Sequence, residues 1–240
     1  PTRRTWSSSM HPTWPLIRWP RSTSPAAFPR DFTEAGSPIS ARASGRPASL
    51  SKESITSAAR RRIETDGYEQ LSLRTLAGSL GVTAPALYDH FRSKDALLRA
   101  VAAQGYVELG DLFDKAPGSQ PIDRCRARAR QYVDFAQEHP ELFRLMFLYR
   151  PSAILMPVDN ELPAASTTFE KSAHDVNLAV ADGDLVDRDT TRLNLTIWAA
   201  MHGVASVALM SSEVASQVVD DVIDAIFSGL HPGAGPQPAG

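Results

Sequence analysis

The stretch from Leu73 to Lys94, LRTLAGSLGVTAPALYDHFRSK, leaves this chain few ways to fold. Leu73, Leu76, Ala77 and Leu80 recur at i, i+3, i+4 and i+7, which is one face of a short helix. Ser72 is placed to cap its start, and Gly81 can stop it in the left-handed conformation that costs glycine least. A second short helix follows at once. Thr83 can cap it, Pro85 sits in the first turn where its missing donor is not needed, and Leu87 and Phe91 make an inner i, i+4 pair. Two short helices joined by so tight a turn predict a helix-turn-helix unit. Ala84, Ala86, Tyr88, Asp89 and His90 are then expected to face away from the core, on a helix of a size that fits the DNA major groove.

The same residues resemble a known family. Gly81 to Leu98, with Leu87-Tyr88-x-His90-Phe91-x-Ser93-Lys94 as its most specific part, looks like the recognition helix and following hinge of the TetR family of transcriptional repressors. The resemblance runs from about Gly45 to Leu98 and continues beyond as an all-helical pattern of weaker identity. It implies an all-α fold: a three-helix DNA-binding head over 45–92, and a larger helical body over 93–230 that binds an effector and dimerises. It further implies that Tyr88, His90 and Lys94 meet phosphates while Thr83, Ala84, Pro85 and Ala86 face base edges. Arg74, at the start of the preceding helix, is in reach of guanine or a phosphate. Ala84 and Ala86 stand where many relatives carry polar side chains. Thymine methyl contacts and DNA shape are therefore expected to carry more of the readout than hydrogen bonds do.

Charge agrees with that division. Residues 1–100 hold 15 Lys and Arg against 8 Asp and Glu, whereas residues 101–240 hold 10 against 19. A basic first part on an acidic second part suits a polyanion-binding head joined to a body that must not stick to DNA. The single cysteine, Cys125, has no partner for an internal disulfide and lacks the neighbours of a metal site, which points to a reducing cytoplasm. No apolar run approaches the ~20 residues of a membrane span. The run Trp14 to Trp19 is broken by Pro15 and Arg18 and is no signal-peptide core.

Residues 1–44 are rich in Pro, Ser and Arg, and Trp6, Trp14 and Trp19 follow no period; a disordered extension is expected. The chain begins at Pro1, not Met. One reading is a non-native upstream extension with the domain starting near Ser40. The other is a basic arm along DNA, for which Arg42 and Arg46 are the candidates. The first ordered helix is expected from Ser51 to about Asp66, with Ile55, Ala58, Ala59 and Ile63 inside and Arg60, Arg61 and Arg62 on a solvated face. A connector helix runs from Ser93 to Ala116. The body then reads as helices over Ile122–Gln137, from Pro140 through Tyr149, over Ala164–Val180 and over Arg188–Met210, this one capped by Asp187. A last helix is marked by Val214, Val218, Val222, Ile223, Ile226 and Phe227. Pro151 to Pro163 reads as a loop or broken helix, and 231–240 as a flexible tail.

Two faces of the Arg188–Met210 helix are apolar. Leu193, Ile197, Met201, Val204 and Ala208 form one; Leu195, Trp198, His202, Ala205 and Leu209 form the other. Both need cover. The body's own core supplies one, and a second subunit is expected to supply the other, since Ala199, Ala200, Gly203, Ala205 and Ser206 permit close helix approach. The family resemblance places a homodimer interface on the last two long helices. Trp198-Ala-Ala-Met-His202-Gly203 also resembles the Trp-x-x-x-His-Gly signature of one subgroup of TetR-like C-terminal domains. Trp198 and His202 share a face. Either His202 is a hydrogen-bonded core histidine, or both residues line a pocket for a small, largely apolar organic effector, with His202 as its polar group. Phe143, Met146, Phe147, Phe169 and Met201 are further lining candidates. Enzyme motifs are missing: there is no HExxH, GxSxG, P-loop or GxGxxG, and no pair of histidines has metal-ligand spacing. No catalytic residue, metal or cofactor is expected. Cys125 lies among Arg124, Arg126, Arg128 and Arg130, which can lower a thiol's pKa and make a redox sensor; the plainer reading is a partly buried small residue.

Overall fold

Each helix begins where the sequence offers a cap or a proline. The computed structural model describes residues 50–149 and 162–233, and the described residues contain nine helices and no strand. Ser51 opens α1 (Lys52–Asp66) with a reciprocal capping box to Ser54, and Gly67 closes it at φ 82°. Helices α2 (Leu73–Ser79) and α3 (Ala84–Tyr88) follow, then α4 (Lys94–Asp114), whose N-cap Ser93 accepts from the Ala96 amide. Proline at the first turn starts α5 (Pro121–Glu138), α6 (Pro140–Leu148) and α7 (Pro163–Ala181). Asp189 caps α8 (Thr190–Ala208) and Ser211 caps α9 (Ser212–Gly229). The expected disordered extension 1–44 with Arg42 and Arg46, most of the Pro151–Pro163 segment and most of the tail lie outside the described residues.

The interior falls into two hydrophobic clusters. In the first, Ile55, Ile63, Leu76, Leu87 and Phe91 of α1–α3 and the turn after them join Leu97, Val101 and Leu109 of α4 and Leu142, Leu145 and Met146 of α6. The three short helices thus share one core with the connector and α6, without which so small a unit has little surface to bury. Gly105 lets α4 and α6 approach closely: a Cβ there would stand 2.5 Å from Met146 Sδ. The second cluster gathers Val133 of α5, Val176 and Ala179 of α7, Leu193, Ile197, Met201 and Val204 of α8, and Val219, Ile223 and Phe227 of α9.

Three local expectations are corrected. Thr83 has the extended backbone of an N-cap, but its side chain makes no capping bond. The cap of α8 is Asp189, not Asp187, with its carboxylate accepting from the Arg192 amide at 2.7 Å. Leu185 is buried and the Val186 amide bonds the Leu230 carbonyl, which holds this segment against the end of α9 and delays the helix. Finally, the Trp198–His202 face of α8 is covered by the chain's own α5 and α6, and Ala205 is fully buried. The outward face carries Thr196, Ala199, Gly203 and Ser206 instead.

Candidate DNA-contacting surface and interior cavity

The turn between α2 and α3 is set by its glycine. The Val82 amide reaches back to the Ala77 carbonyl at 3.0 Å, and Gly81 sits at φ 69°, where a β-carbon would be strained. Helix α3 is only five residues long and is held by Leu87, fully buried, and by Phe91 just beyond it. That leaves Thr83, Pro85 and Asp89 exposed and Tyr88 51% exposed; Ala86 and His90 are half-buried beside them. Ala84 is also half-buried and packs against the first cluster, so it is turned partly inward rather than fully out. Arg74 is exposed at the start of α2. Lys94 donates from Nζ to the Glu69 carbonyl at 2.8 Å, tying the turn before α2 to the start of α4. Its charge is therefore held at the base of the unit rather than left on a free tether. Of the neighbouring basic run, Arg60 bridges Glu64 and Glu108, and Arg62 pairs with Asp66.

A cavity of about 80 Å³ lies among α4, α5, α7 and α8. One water needs roughly 10–15 Å³, so the space suits a small organic molecule. Tyr106, Phe113, Tyr132, Phe147, Phe169 and Trp198 supply most of its wall, with Met201, Ile197 and Val176. Of the expected lining residues, Phe147, Phe169, Trp198 and Met201 are there. Phe143 and Met146 are buried in the first cluster and stand outside the wall. His202 stands behind it. Its ring stacks between Trp198, centroid at 5.0 Å, and Phe147, at 4.4 Å, and Tyr132 Oη lies 3.0 Å from its Nδ1. A histidine so enclosed orients Tyr132 and Trp198, which do line the cavity. Burial raises the Tyr132 phenol well above its ordinary range, and nearby Tyr106 adds to this, so the group stays a neutral hydroxyl.

The polar part of the wall escaped the sequence reading. Thr168, Ser172 and Asn194 line the cavity, as does Arg128. Ser172 Oγ donates to the Phe169 carbonyl at 2.8 Å and lies 3.1 Å from Asn194 Oδ1. Just behind, Asp175 is buried between two guanidiniums: Arg128 at 2.7 Å and Arg124 at 2.9 Å. The signal was available. Asn194 falls at i, i+3, i+4 and i+7 with Ile197, Trp198 and Met201, a polar residue inside an apolar stripe. Thr168, Ser172 and Asp175 repeat that spacing on α7. Cys125 belongs here too, and its environment runs against a reactive thiol. Burial, with the Asp175 charge added, outweighs both arginines and pushes it up to about 12.

Further contacts join the helices around this cavity to α1 and to the start of α4. Tyr149, just past α6, donates to Asp95 in the first turn of α4 at 2.6 Å, and Arg99 lies over its ring. Tyr106 donates to the Met146 carbonyl at 3.0 Å. At the other end of α6, His139 lies 3.3 Å from Glu64 of α1. Helix α6, which contributes Phe147 to the cavity, is thus bonded to α4, and the residue that precedes it lies against Glu64 of α1.

Two family models match the chain. The one for bacterial regulatory proteins of the tetR family covers residues 55–101, and the one for tetracyclin repressor-like C-terminal domains covers 125–230. Among curated relatives, an uncharacterised HTH-type transcriptional regulator of Mycobacterium tuberculosis is 28% identical over 183 residues, 74% of this chain and 80% of the relative. A solved protein of unknown function from Rhodococcus sp. RHA1 is 30% identical, with a TM-score of 0.66 over 78% of this chain and 99% of its own. A TetR variant from Acinetobacter baumannii AYE, solved in complex with minocycline, shares the fold at a TM-score of 0.58 and 19% identity, over 75% of this chain and 96% of that one.

Proposed function

Given that the chain belongs to the TetR family of bacterial regulatory proteins, and so is a DNA-binding transcriptional regulator and not an enzyme, we propose that it acts as a cytoplasmic, dimeric repressor, released from a palindromic operator by a small, largely apolar organic effector. The observation that carries this reading is the cavity. It is walled by aromatics at the centre of a body whose helix α6 is bonded to the connector α4 at Tyr149–Asp95. An effector that favours a body shape with the heads wrongly spaced lowers DNA affinity, and DNA lowers effector affinity by the same factor. No metal, cofactor or covalent step is needed for that exchange.

Division of labour follows the sequence: residues 45–92 bind DNA and 93–230 bind effector and dimerise. Thr83, Pro85, Ala86 and Tyr88, with Arg74 and His90, make the DNA face. Lys94 sets the angle between head and α4 through Glu69 and offers its remaining donors to a phosphate. Arg42 and Arg46 extend the footprint as an arm. Ala84 contributes at most a methyl edge. Phe147, Phe169, Trp198 and Met201 hold the effector, and Phe143, Met146 and His202 support them from behind. Dimerisation through α8 and α9 is supported by Gly203, which is exposed and whose absent Cβ would meet nothing in its own chain. Among the described residues nothing gives a packing reason for glycine there, whereas a second copy of α8 would. In this reading Trp198, His202 and Gly203 are the signature of the Trp-x-x-x-His-Gly subgroup, two positions serving the cavity wall and the third the partner. Among the described residues no helix is long and apolar enough to cross a membrane.

Gel-shift titration on DNA from the protein's own promoter, with light scattering, tests the assembly. Gly203→Glu should yield monomers that bind at least tenfold more weakly, because two heads must engage adjacent half-sites together. An intact dimer would remove α8 from the interface. Deleting the protein should raise transcription from that promoter, and a fall would mean activation instead.

A further inference from the structure

The cavity's wall is apolar and aromatic, and its polar groups are unevenly committed. Among the described residues, Arg128 is the one charged side chain that lines it. Its Nε donates to the Phe113 carbonyl at 3.0 Å and its Nη1 to the Lys171 carbonyl at 2.6 Å, and Nη1 pairs with Asp175 at 2.7 Å. Arg124, which shares Asp175, is the more exposed of the two arginines, 26% against 12%, and does not line the cavity. One carboxylate between two guanidiniums leaves a single positive charge over, which makes Arg128 the rival polar partner for a ligand here.

Asn194 is committed differently. It is 3% exposed and lines the cavity. A primary amide has two donor hydrogens and two acceptor lone pairs. Its bonds are to Ser172 at 3.1 Å and a long one of 3.4 Å to the Phe169 carbonyl. One donor and one acceptor are left over, which is the complement of a single hydroxyl.

From this geometry we infer that the effector is an aromatic molecule bearing one hydroxyl-type group, seated among the ring side chains with that group on Asn194. The inference rests on the cavity being the effector site. Calorimetry on the full chain at neutral pH with 1-naphthol, naphthalene and 1-naphthoate separates its parts. Naphthol should bind, and naphthalene about tenfold more weakly for want of the hydrogen bond. Asn194→Leu, close in volume, should make naphthol and naphthalene equal while leaving naphthalene unchanged. If naphthoate binds more tightly than naphthol, Arg128 and not Asn194 is the polar partner, and the hydroxyl assignment is overturned while the cavity stands. If the variant still prefers naphthol, Asn194 is not the partner. If none of the three binds the parent protein, the cavity reading itself falls.

Discussion

The two hydrophobic clusters are built on different terms. The first, which locks α1–α3 onto α4 and α6, is apolar at its centre; Ile55, Ile63, Leu87, Leu97 and Leu142 are fully buried. Polar ties such as Lys94–Glu69 and Tyr149–Asp95 run around its edge. The second cluster, formed by α5, α7, α8 and α9, borders a buried carboxylate between two arginines and an unfilled space. A closely packed core transmits displacement as a unit, whereas a void lined by rings is where a ligand can change packing. Leu109, Phe113 and Ala165 of the first cluster also line that space, so it lies where the two clusters meet, and no residue of α1–α3 borders it.

The sharpest way to break that contrast is at Asp175. Asp175→Ala strips Arg128, 12% exposed, of its buried counter-charge and should cost about 3–5 kcal/mol of unfolding free energy, read by denaturant titration. A loss under about 1 kcal/mol would mean that solvent reaches the cluster. A smaller effect separates two alanines on one helix. Ala136 of α5 is fully buried in the first cluster, and Ala129 of the same helix lines the cavity. Adding two methyl groups at Ala136 (Ala136→Val) should cost about 1–3 kcal/mol through overpacking. The same change at Ala129 should be within about 1 kcal/mol of the parent, because there is space to take the atoms, and it should weaken naphthol binding. Equal losses at the two sites would show that the void closes in solution. The smallest effect is at Cys125. A thiol raised from 9.0 to about 12 holds about a thousandfold less thiolate at pH 8, so a disulfide reagent should label it only after unfolding. Since the folded pKa is the higher one, its contribution to stability is complete below pH 9.0 and fades as pH rises toward 12. Fast labelling of the folded protein at pH 8 would contradict the buried site.

How far the sequence could be read depended on whether a feature was local. The caps Ser51, Ser72 and Ser93, the Gly81 turn and the buried pairs of α1–α3 are each settled within a few residues by backbone sterics and helical period, and the structure has them as expected. Asp189 rather than Asp187 caps α8 because the segment at Leu185 and Val186 is held against the end of α9 by the Val186–Leu230 bond, 44 residues distant in the chain. The cavity was half legible. Aromatic residues on α6, α7 and α8 marked its rings, but periodicity cannot say whether a buried Phe143 faces a void or fills one.

The sequence by itself determined the nine-helix order among the described residues, the helix-turn-helix and the family, since those rest on spacing and on ordered local motifs. Only the tertiary structure decided that His202 supports the wall from behind, that Asn194 and Arg128 reach the space, and that Asp175 is shared by the arginines nearest Cys125. These depend on which helix faces meet, and on whether the side chains between them fill the gap. Close packing among four helices distant in sequence sets that, and no window of one helix records it.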